Sequence, residues 1–231
     1  MRACVPFVLS GFFWLSPLSA NGEVLQADGV RVDLQIPDGY CALSRGNPSE
    51  KPHYDMQERM QANINGVMLI ALPCAEIEAA RAGEPWKRWV IWLLNGPPGK
   101  HTKVPPGMSR QAVTEELARV MPNMDFEAIS KDVGGLAAKE GLGLKLQTMS
   151  TIGKDGLALY TAQAANVKTA AATREIAVVT GWIAMERRLF TANAYADLEG
   201  VASVEGLLSQ IKDMVKRSAD MTDQLAGGSQ K

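Results

Sequence analysis

The sequence predicts an α+β fold: a single domain in which a mostly antiparallel sheet is flanked by helices, as in an α/β/α sandwich. Apolar runs of strand length, some alternating with polar residues, recur through the chain. In the second half they follow one another with only turn residues between them, which is typical of an antiparallel meander. Segments before and after this meander carry apolar residues at helical spacing. Helices layered on such a sheet bury the apolar faces of both.

The first twenty residues have the parts of a secretory signal peptide. Arg2 supplies the basic start, the stretch 3–18 holds no charged residue, and the small residues Ser19 and Ala20 follow. The apolar stretch is shorter than the ~20 residues that a membrane span requires, and two prolines and a glycine interrupt it. We therefore expect a signal peptide over 1–20 that is cleaved, a mature chain without a transmembrane segment and a periplasmic location, with secretion as the alternative.

The cysteines indicate one disulfide. Of the three in the chain, Cys4 leaves with the signal peptide, so Cys41 and Cys74 remain. Two cysteines in an oxidising compartment usually pair, and closing a loop of this size stabilises a fold by about 3–4 kcal/mol in the chain-entropy model. The alternative is a redox-active dithiol, whose cysteines are usually close together, as in C-x-x-C.

The first half of the mature chain alternates strands and helices. Apolar residues at every second position predict a strand over 30–36, which a Pro-Asp-Gly turn ends near Cys41. A helix is expected over 54–63, where no breaker occurs. The continuous apolar run 67–72 is typical of a central strand covered on both faces. Aromatic and β-branched residues predict another strand over 86–94.

A loop and a helix precede the meander. Residues 95–108 contain two Pro-Pro pairs and three glycines, which predict a long loop. Ser109 is a good N-cap for a helix that Pro122 ends. A second short helix is expected over 123–133, and the glycine-rich stretch 134–143 is interpreted as a flexible lead into the next strand.

The second half predicts a meander and a closing helix. The four expected strands cover residues 142–146, 157–167, 176–184 and 189–195. Ser203 begins a helix with an apolar stripe at i, i+3, i+4 and i+7, and we expect this helix to lie across the sheet. The single domain is thus predicted over 21–218, with a disordered tail over 219–231.

These features resemble a known family. A first strand that runs into IPDGY, a late antiparallel meander and an apolar final helix with the sequence VEGLLSQIKDMV are similar to the PsbP-like and DcrB-like exported proteins, over Val30 to Met214. The resemblance implies an α/β/α sandwich and a role as an accessory or binding module. No family motif is matched position by position, so the resemblance carries no functional residues.

The sequence lacks the residues that several functions require. The 24 basic and 25 acidic residues are balanced, whereas nucleic-acid binding needs a concentrated basic surface. The two histidines, His53 and His101, are interpreted as solvated loop residues, since neither has zinc-ligand spacing around it. The chain contains no G-x-S-x-G elbow and no phosphate loop. We therefore predict no catalytic site, no metal site and no cofactor.

The candidate binding surface combines three tryptophans with the proline-rich loop. On a strand over 86–94, Trp86 and Trp92 are expected to face one side and Trp89 the other. Tryptophan is enriched at binding hot spots, and a proline-stiffened loop loses little entropy on binding. Core packing and a plain surface connector are the alternatives. The candidate residues are Trp86, Trp89, Trp92, Pro97, Pro98, His101, Pro105 and Pro106.

Three functional hypotheses follow. The first is a non-enzymatic accessory protein that binds another envelope protein through the face beside this loop. The second is a small-molecule or lipid carrier with a cavity between sheet and helices, for which the eleven methionines supply an adaptable lining. The third is an enzyme with an unfamiliar site, which predicts a concave cluster of Asp or Glu with perturbed pKa values.

Overall fold

The computed structural model describes residues 22–147, 149–169 and 172–228, so the predicted signal peptide lies outside the described residues. The helices are α1 Lys51–Gln61, α2 Ile77–Arg81, α3 Arg110–Val120, α4 Phe126–Lys139 and α5 Val201–Gly228. The strands are β1 Gly22–Ala27, β2 Val30–Gln35, β3 Tyr40–Ala42, β4 Asn65–Pro73, β5 Arg88–Asn95, β6 Gly143–Leu146, β7 Ser150–Lys154, β8 Ala158–Lys168, β9 Thr173–Met185 and β10 Arg188–Asp197.

The strands form one large sheet and one separate hairpin. The large sheet has the order β3-β4-β5-β10-β9-β8-β6, with β7 also paired to β8 beside β6, and all its pairings are antiparallel. The hairpin consists of β1 and β2. This arrangement confirms the predicted α+β fold with an antiparallel sheet flanked by helices.

Helix α5 covers one face of the sheet. Its buried residues Leu207, Ile211 and Val215 join the largest apolar cluster, which also contains side chains of β2, β5, β9 and β10. A Cβ atom on Gly181 of β9 would lie 2.8 Å from Ile211 Cγ2 and 3.0 Å from Val215 Cγ2. The glycine therefore permits the helix to approach the strand closely.

The same helix closes the free edge of β2. The Ser218 hydroxyl accepts a hydrogen bond from the Gln35 backbone N–H at 2.8 Å, and the Thr222 hydroxyl accepts one from the Asp33 N–H at 3.0 Å. Both hydroxyl-bearing residues are fully buried. The prediction of a disordered tail over 219–231 is thus wrong for 219–228, because these residues continue α5 and contact β2; residues 229–231 lie outside the described residues.

Helix α4 is longer than predicted. It continues through Gly134 and Gly135 to Lys139, so the interpretation of this stretch as a flexible lead is wrong. A Cβ atom on Gly134 would lie 2.9 Å from the backbone oxygen of Leu144. The glycine therefore serves the close contact between α4 and β6, and this packing outweighs its low helix propensity.

The predicted disulfide is confirmed. Cys41 in the edge strand β3 is bonded to Cys74, which directly follows β4, with an S–S distance of 1.97 Å. Of the helices in the described ranges, none combines the length and the apolar composition needed to cross a membrane.

Candidate functional site

A cavity of about 790 Å³ lies between the large sheet and helices α1, α3 and α4. Its volume falls within the roughly 300–1,000 Å³ of small-molecule sites. A space of this size between a sheet and its helices is a candidate binding site.

Four neighbouring strands form its floor. Successive side chains of a strand point to opposite faces, and the residues of β5, β10, β9 and β8 that line the cavity all lie on one face of the sheet. In one row across these strands, Trp89, Tyr195, Val178 and Gln163 are direct neighbours. The opposite residues of the same strands, such as Trp92, face α5.

Helices and their flanking turns form the roof, which is rich in methionine. Met56 and Met60 lie on α1, and Met121 and Met124 lie at the turn between α3 and α4. Their flexible side chains can adapt to an irregular ligand.

An ion pair joins two helices of the roof. Arg59 of α1 donates from Nε and Nη2 to the two carboxylate oxygens of Glu140, at 2.7 Å each. Glu140 is the residue that follows α4, and this contact holds the pKa of its carboxyl below the usual range.

Aromatic rings line one end of the cavity. The rings of Trp89 and Tyr195 are stacked, with centroids 4.6 Å apart and planes within 5°. Trp86 contacts Trp89 edge to face at 5.9 Å and packs against the His53 ring at 4.9 Å. His53 thus belongs to α1 and to this aromatic group, with Nε2 3.1 Å from the Ala80 carbonyl oxygen, and its prediction as a solvated loop residue is wrong.

Some polar groups of the floor are paired with each other. The Thr180 hydroxyl donates to Asn193 Oδ1 at 2.7 Å, and Asn193 Nδ2 donates to the Thr191 hydroxyl at 3.2 Å. Trp182 Nε1 donates to the Thr161 hydroxyl at 3.2 Å. These contacts pair five side chains of the floor strands with one another.

Other polar groups of the lining have no partner within the described part of the chain. Two of them are buried atoms, Nε1 of Trp89 and Nη2 of Arg174. The others are the hydroxyl of the half-buried Tyr195 and the side-chain amides of Gln57 and Gln163. Burial raises the pKa of Tyr195 well above that of an ordinary tyrosine, since a phenolate is disfavoured away from water. Tyr195 therefore keeps its proton and can donate a hydrogen bond to a molecule in the cavity.

The cationic side chain of the cavity is partly used by the protein. Arg174 donates through Nε to Asp197 Oδ1 at 2.8 Å and through Nη1 to the Trp86 carbonyl at 2.7 Å. Its buried Nη2 lies 2.6 Å from the same Asp197 oxygen but has no hydrogen-bond partner within the described part of the chain. Glu84 and Asp132 also line the cavity and are exposed. Within the described ranges, no cluster of three or more His, Cys, Asp or Glu side chains could hold a metal ion.

The structure divides the predicted tryptophan surface. Trp92 is fully buried on the α5 face, where its Nε1 donates to the Gln35 carbonyl at 2.8 Å, so it cannot bind a partner. Trp86 and Trp89 both line the cavity, and the predicted pairing of Trp86 with Trp92 on one face is wrong. The reason is that β5 begins at Arg88, so that Trp86 precedes the strand and does not follow its alternation.

The proline-rich loop lies at the other end of β5 from Trp86. An eight-residue strand spans about 26 Å, so the loop and Trp86 do not form one surface. Leu189 N–H donates to the Thr102 carbonyl at 3.2 Å, and His101 Nδ1 lies 2.8 Å from the Gly96 carbonyl oxygen. The first contact joins the loop to β10, and the second lies within the loop. Three of its four prolines are exposed, namely Pro98, Pro105 and Pro106, and Pro97 and His101 are half-buried.

Apart from Trp86 and Trp89, sequence reasoning missed the residues that line the cavity. Gln163, Thr180 and Asn193 each occupy a cavity-facing position of an otherwise apolar strand. Polar residues at such positions are the signal that could have revealed a lined cavity. Met56 and Met60, four residues apart on α1, are a second signal.

Comparison with known proteins gives a structural resemblance. No protein-family model and no curated protein matches the chain. Among solved structures, the solution structure of cyanobacterial PsbP (CyanoP) from Synechocystis sp. PCC 6803 is similar, with 10% sequence identity and a TM-score of 0.41. The match covers 84% of this chain and 91% of that chain. The chain thus has a weak structural resemblance to PsbP.

Proposed function

We propose that the protein is an exported binding protein that holds an apolar, lipid-like molecule in the cavity between its sheet and helices α1, α3 and α4. The observation that carries this proposal is the size of the cavity together with its methionine-rich and aromatic lining. A role in binding is also what the sequence resemblance implies.

The character of the lining supports an apolar occupant. Methionine, tryptophan and aliphatic side chains of the sheet and of the helices line the cavity. Removing apolar surface from water contributes about 25 cal/mol per Å², so a ligand with apolar groups gains free energy by covering this lining.

The proposed place of action is the periplasm, with secretion as the alternative. The signal-like segment over 1–20 and the Cys41–Cys74 disulfide both support export. An apolar molecule that crosses this aqueous space needs a carrier protein, and this is the role proposed here. No catalytic step is proposed, because the two carboxylates that line the cavity, those of Glu84 and Asp132, belong to exposed residues.

A second candidate is an accessory role on another envelope protein. The observation in its favour is the loop over 95–108, which presents exposed prolines from a backbone that is hydrogen-bonded to β10. The tryptophans no longer support this candidate, since they lie in the core or in the cavity.

The test is ligand retention by the exported, purified protein. We expect native mass spectrometry to show a co-purified molecule that organic extraction removes, and the extracted protein to bind the apolar fluorophore N-phenyl-1-naphthylamine. The variant Ala165→Trp places a large ring in the cavity, because Ala165 lies on its floor. It should lose this binding. Ala202→Trp, at an exposed position at the start of α5, is the matched control. Absence of any bound molecule and of any fluorophore binding in the wild-type protein would rule the carrier out.

A further inference from the structure

We propose that the molecule in the cavity carries an acidic head group, as a fatty acid does, and that its carboxylate accepts hydrogen bonds from Arg174 and Trp89. The inference rests on the proposed function and narrows the class of ligand. It distinguishes a fatty acid from a neutral ester and from a cationic amphiphile with the same apolar chain.

Two buried side-chain atoms in the described part of the chain have no hydrogen-bond partner, and both belong to residues that line the cavity. They are Nη2 of Arg174 and Nε1 of Trp89. Buried polar atoms are normally paired, and an unpaired one lowers the stability of the fold. The unpaired atoms thus coincide with the proposed binding site, where a ligand can supply the missing partner.

Contacts through Trp86 place the two residues at the same end of the cavity. Arg174 donates through Nη1 to the Trp86 carbonyl oxygen at 2.7 Å. The Trp86 ring in turn contacts the Trp89 ring, with centroids 5.9 Å apart. Arg174 therefore lies at the end that the aromatic rings line, and a head group bound there is close to both residues.

The chemistry of the two unpaired atoms selects the head group. Guanidinium and indole N–H groups donate hydrogen bonds and cannot accept them. A hydrogen bond from a guanidinium to an ionised oxygen is roughly twice as strong as one between neutral groups. A carboxylate has two charged oxygens and can accept from Arg174 and Trp89 together, whereas an ester offers an uncharged carbonyl oxygen. These donors therefore favour an acid over an ester.

The Arg174 guanidinium is held in place by the protein itself. Its Nε donates to Asp197 Oδ1 at 2.8 Å, and Nη2 lies 2.6 Å from the same oxygen without a hydrogen bond. The Asp197 side chain is 38% exposed, so water screens part of its charge. Glu84 and Asp132, the carboxylates of the cavity lining, belong to exposed residues and are screened in the same way. The guanidinium is thus a preorganised cation with a donor left for a ligand carboxylate.

The test compares three ligands with a twelve-carbon chain for displacement of N-phenyl-1-naphthylamine from the extracted protein at neutral pH. Laurate is an anion, methyl laurate is neutral and dodecyltrimethylammonium is a cation, and each is used below the concentration at which it forms micelles. We expect laurate to bind at least about tenfold more tightly than either of the others, a ratio that corresponds to about 1.4 kcal/mol.

A charge-removing variant locates the contact. Arg174→Gln should weaken laurate binding about tenfold and leave methyl laurate binding unchanged, because only the acid uses the cation. Arg110→Gln is the matched control and should bind laurate as the wild type does. Arg110 also donates to a carbonyl oxygen, that of Ala184, and to a carboxylate, that of Asp223, and it is as exposed as Arg174, but it lies outside the cavity lining.

The variant Trp89→Phe tests the second donor. It removes the indole N–H and keeps a ring, so laurate binding should fall several-fold while binding of methyl laurate and of the fluorophore is largely retained. Circular dichroism checks the folding of each variant. Where Arg174→Gln does not fold, the order of the three ligands on the wild type and the effect of Trp89→Phe decide the question.

The outcomes separate the two proposals. Equal or weaker binding of laurate than of methyl laurate, equal binding of the cation, or unchanged laurate binding by the folded variants would overturn this inference while the carrier function stands. Failure of the fluorophore and of all three ligands to bind would overturn the carrier function, and this inference with it.

Discussion

The phenol ring of Tyr195 lies flat against the indole ring of Trp89, and the two residues are direct neighbours in adjacent strands of the sheet. The hydrogen-bonding register of β5 and β10 therefore sets the stack. Trp86 contacts Trp89 from outside the strand. One end of the cavity thus has a wall of three aromatic rings in a fixed arrangement.

Replacement of this wall should weaken ligand binding. We expect Trp89→Ala to reduce the affinity for N-phenyl-1-naphthylamine about tenfold or more, because loss of the indole removes an apolar contact worth ~1.5–3 kcal/mol. Trp89→Phe keeps a ring against Tyr195 and should retain most of the affinity. Fluorescence titration measures both values, and circular dichroism checks folding. Unchanged affinity in Trp89→Ala would place the fluorophore elsewhere.

Reduction of the disulfide should lower the stability of the fold. Cys41 and Cys74 close a loop with a sequence separation of 33 residues. The chain-entropy model then gives a loss of about 3–4 kcal/mol in the free energy of unfolding. Urea denaturation of the double variant Cys41→Ser, Cys74→Ser measures this loss, and added reductant should affect only the wild-type protein. Equal midpoints for the two proteins would contradict the prediction.

The buried hydroxyls of α5 should contribute more to the free energy of unfolding than the exposed ones do. Ser218→Ala leaves the Gln35 N–H buried without an acceptor, which costs about 1–3 kcal/mol. Ser209→Ala is the matched control, since Ser209 is exposed on the same helix. The substitution Ser209→Ala should leave the stability unchanged or raise it slightly. Chemical denaturation compares the two variants, and similar effects would show that the β2 edge does not depend on α5.

Alanine substitutions at the two adjacent glycines of α4 should change the stability of the protein in opposite directions. An alanine at 134 meets the Leu144 backbone oxygen at 2.9 Å and forces α4 away from β6, at a cost of about 1–3 kcal/mol. At position 135 an added Cβ has no neighbour within 4 Å. Gly135→Ala should therefore stabilise the helix by ~0.5–1 kcal/mol. Thermal unfolding of both variants tests this contrast, and destabilisation by both would contradict it.

Buried tyrosines should make the protein sensitive to alkali. Burial raises the pKa of Tyr195 above that of a tyrosine in the unfolded chain, about 10. The contribution of protonated Tyr195 to the free energy of unfolding is thus complete below about pH 10. It is lost as the pH rises above that value. The free energy of unfolding should fall there by about 1.4 kcal/mol per pH unit for each such tyrosine.

The variant Tyr195→Phe isolates this contribution. Tyr54 and Tyr160 also have raised pKa values, mainly through burial, so part of the alkaline loss should remain in the variant. Urea denaturation between pH 8 and 11 measures the slope, and absorbance of phenolate follows the titration. Identical slopes for the variant and the wild type would show that Tyr195 titrates normally.

The sequence predicted those elements whose apolar residues form a local pattern. The stretch 176–184 is apolar except for Thr180 and Gly181, and it lies within β9, one face of which packs against α5. The stripe of α5 was clear for the same reason. The end of α5 was missed because the buried residues there are Ser218, Ala219 and Thr222, which are small or polar. Their partners on β2 are more than 180 residues away, and no local pattern shows them.

The site depends on strand pairing and was only partly predictable. The second functional hypothesis placed a cavity between sheet and helices, without its residues. The row that joins Trp89, Tyr195 and Gln163 requires the register of four strands, which no single strand specifies. The tryptophan pattern was misassigned because the start of β5 shifted by two residues against the expected strand.

The hydrogen bonds from α5 to the edge of β2 can form only late in synthesis, because their partners are far apart in the sequence. Thr222 follows Asp33 by 189 residues, and a ribosome adds about 5–20 residues per second. The β2 edge thus waits roughly 10–40 s for its hydroxyl partners, with its N–H groups open to other strands. A chain that stops before Ser218 never closes this edge, and it is the form of the protein that we expect to aggregate.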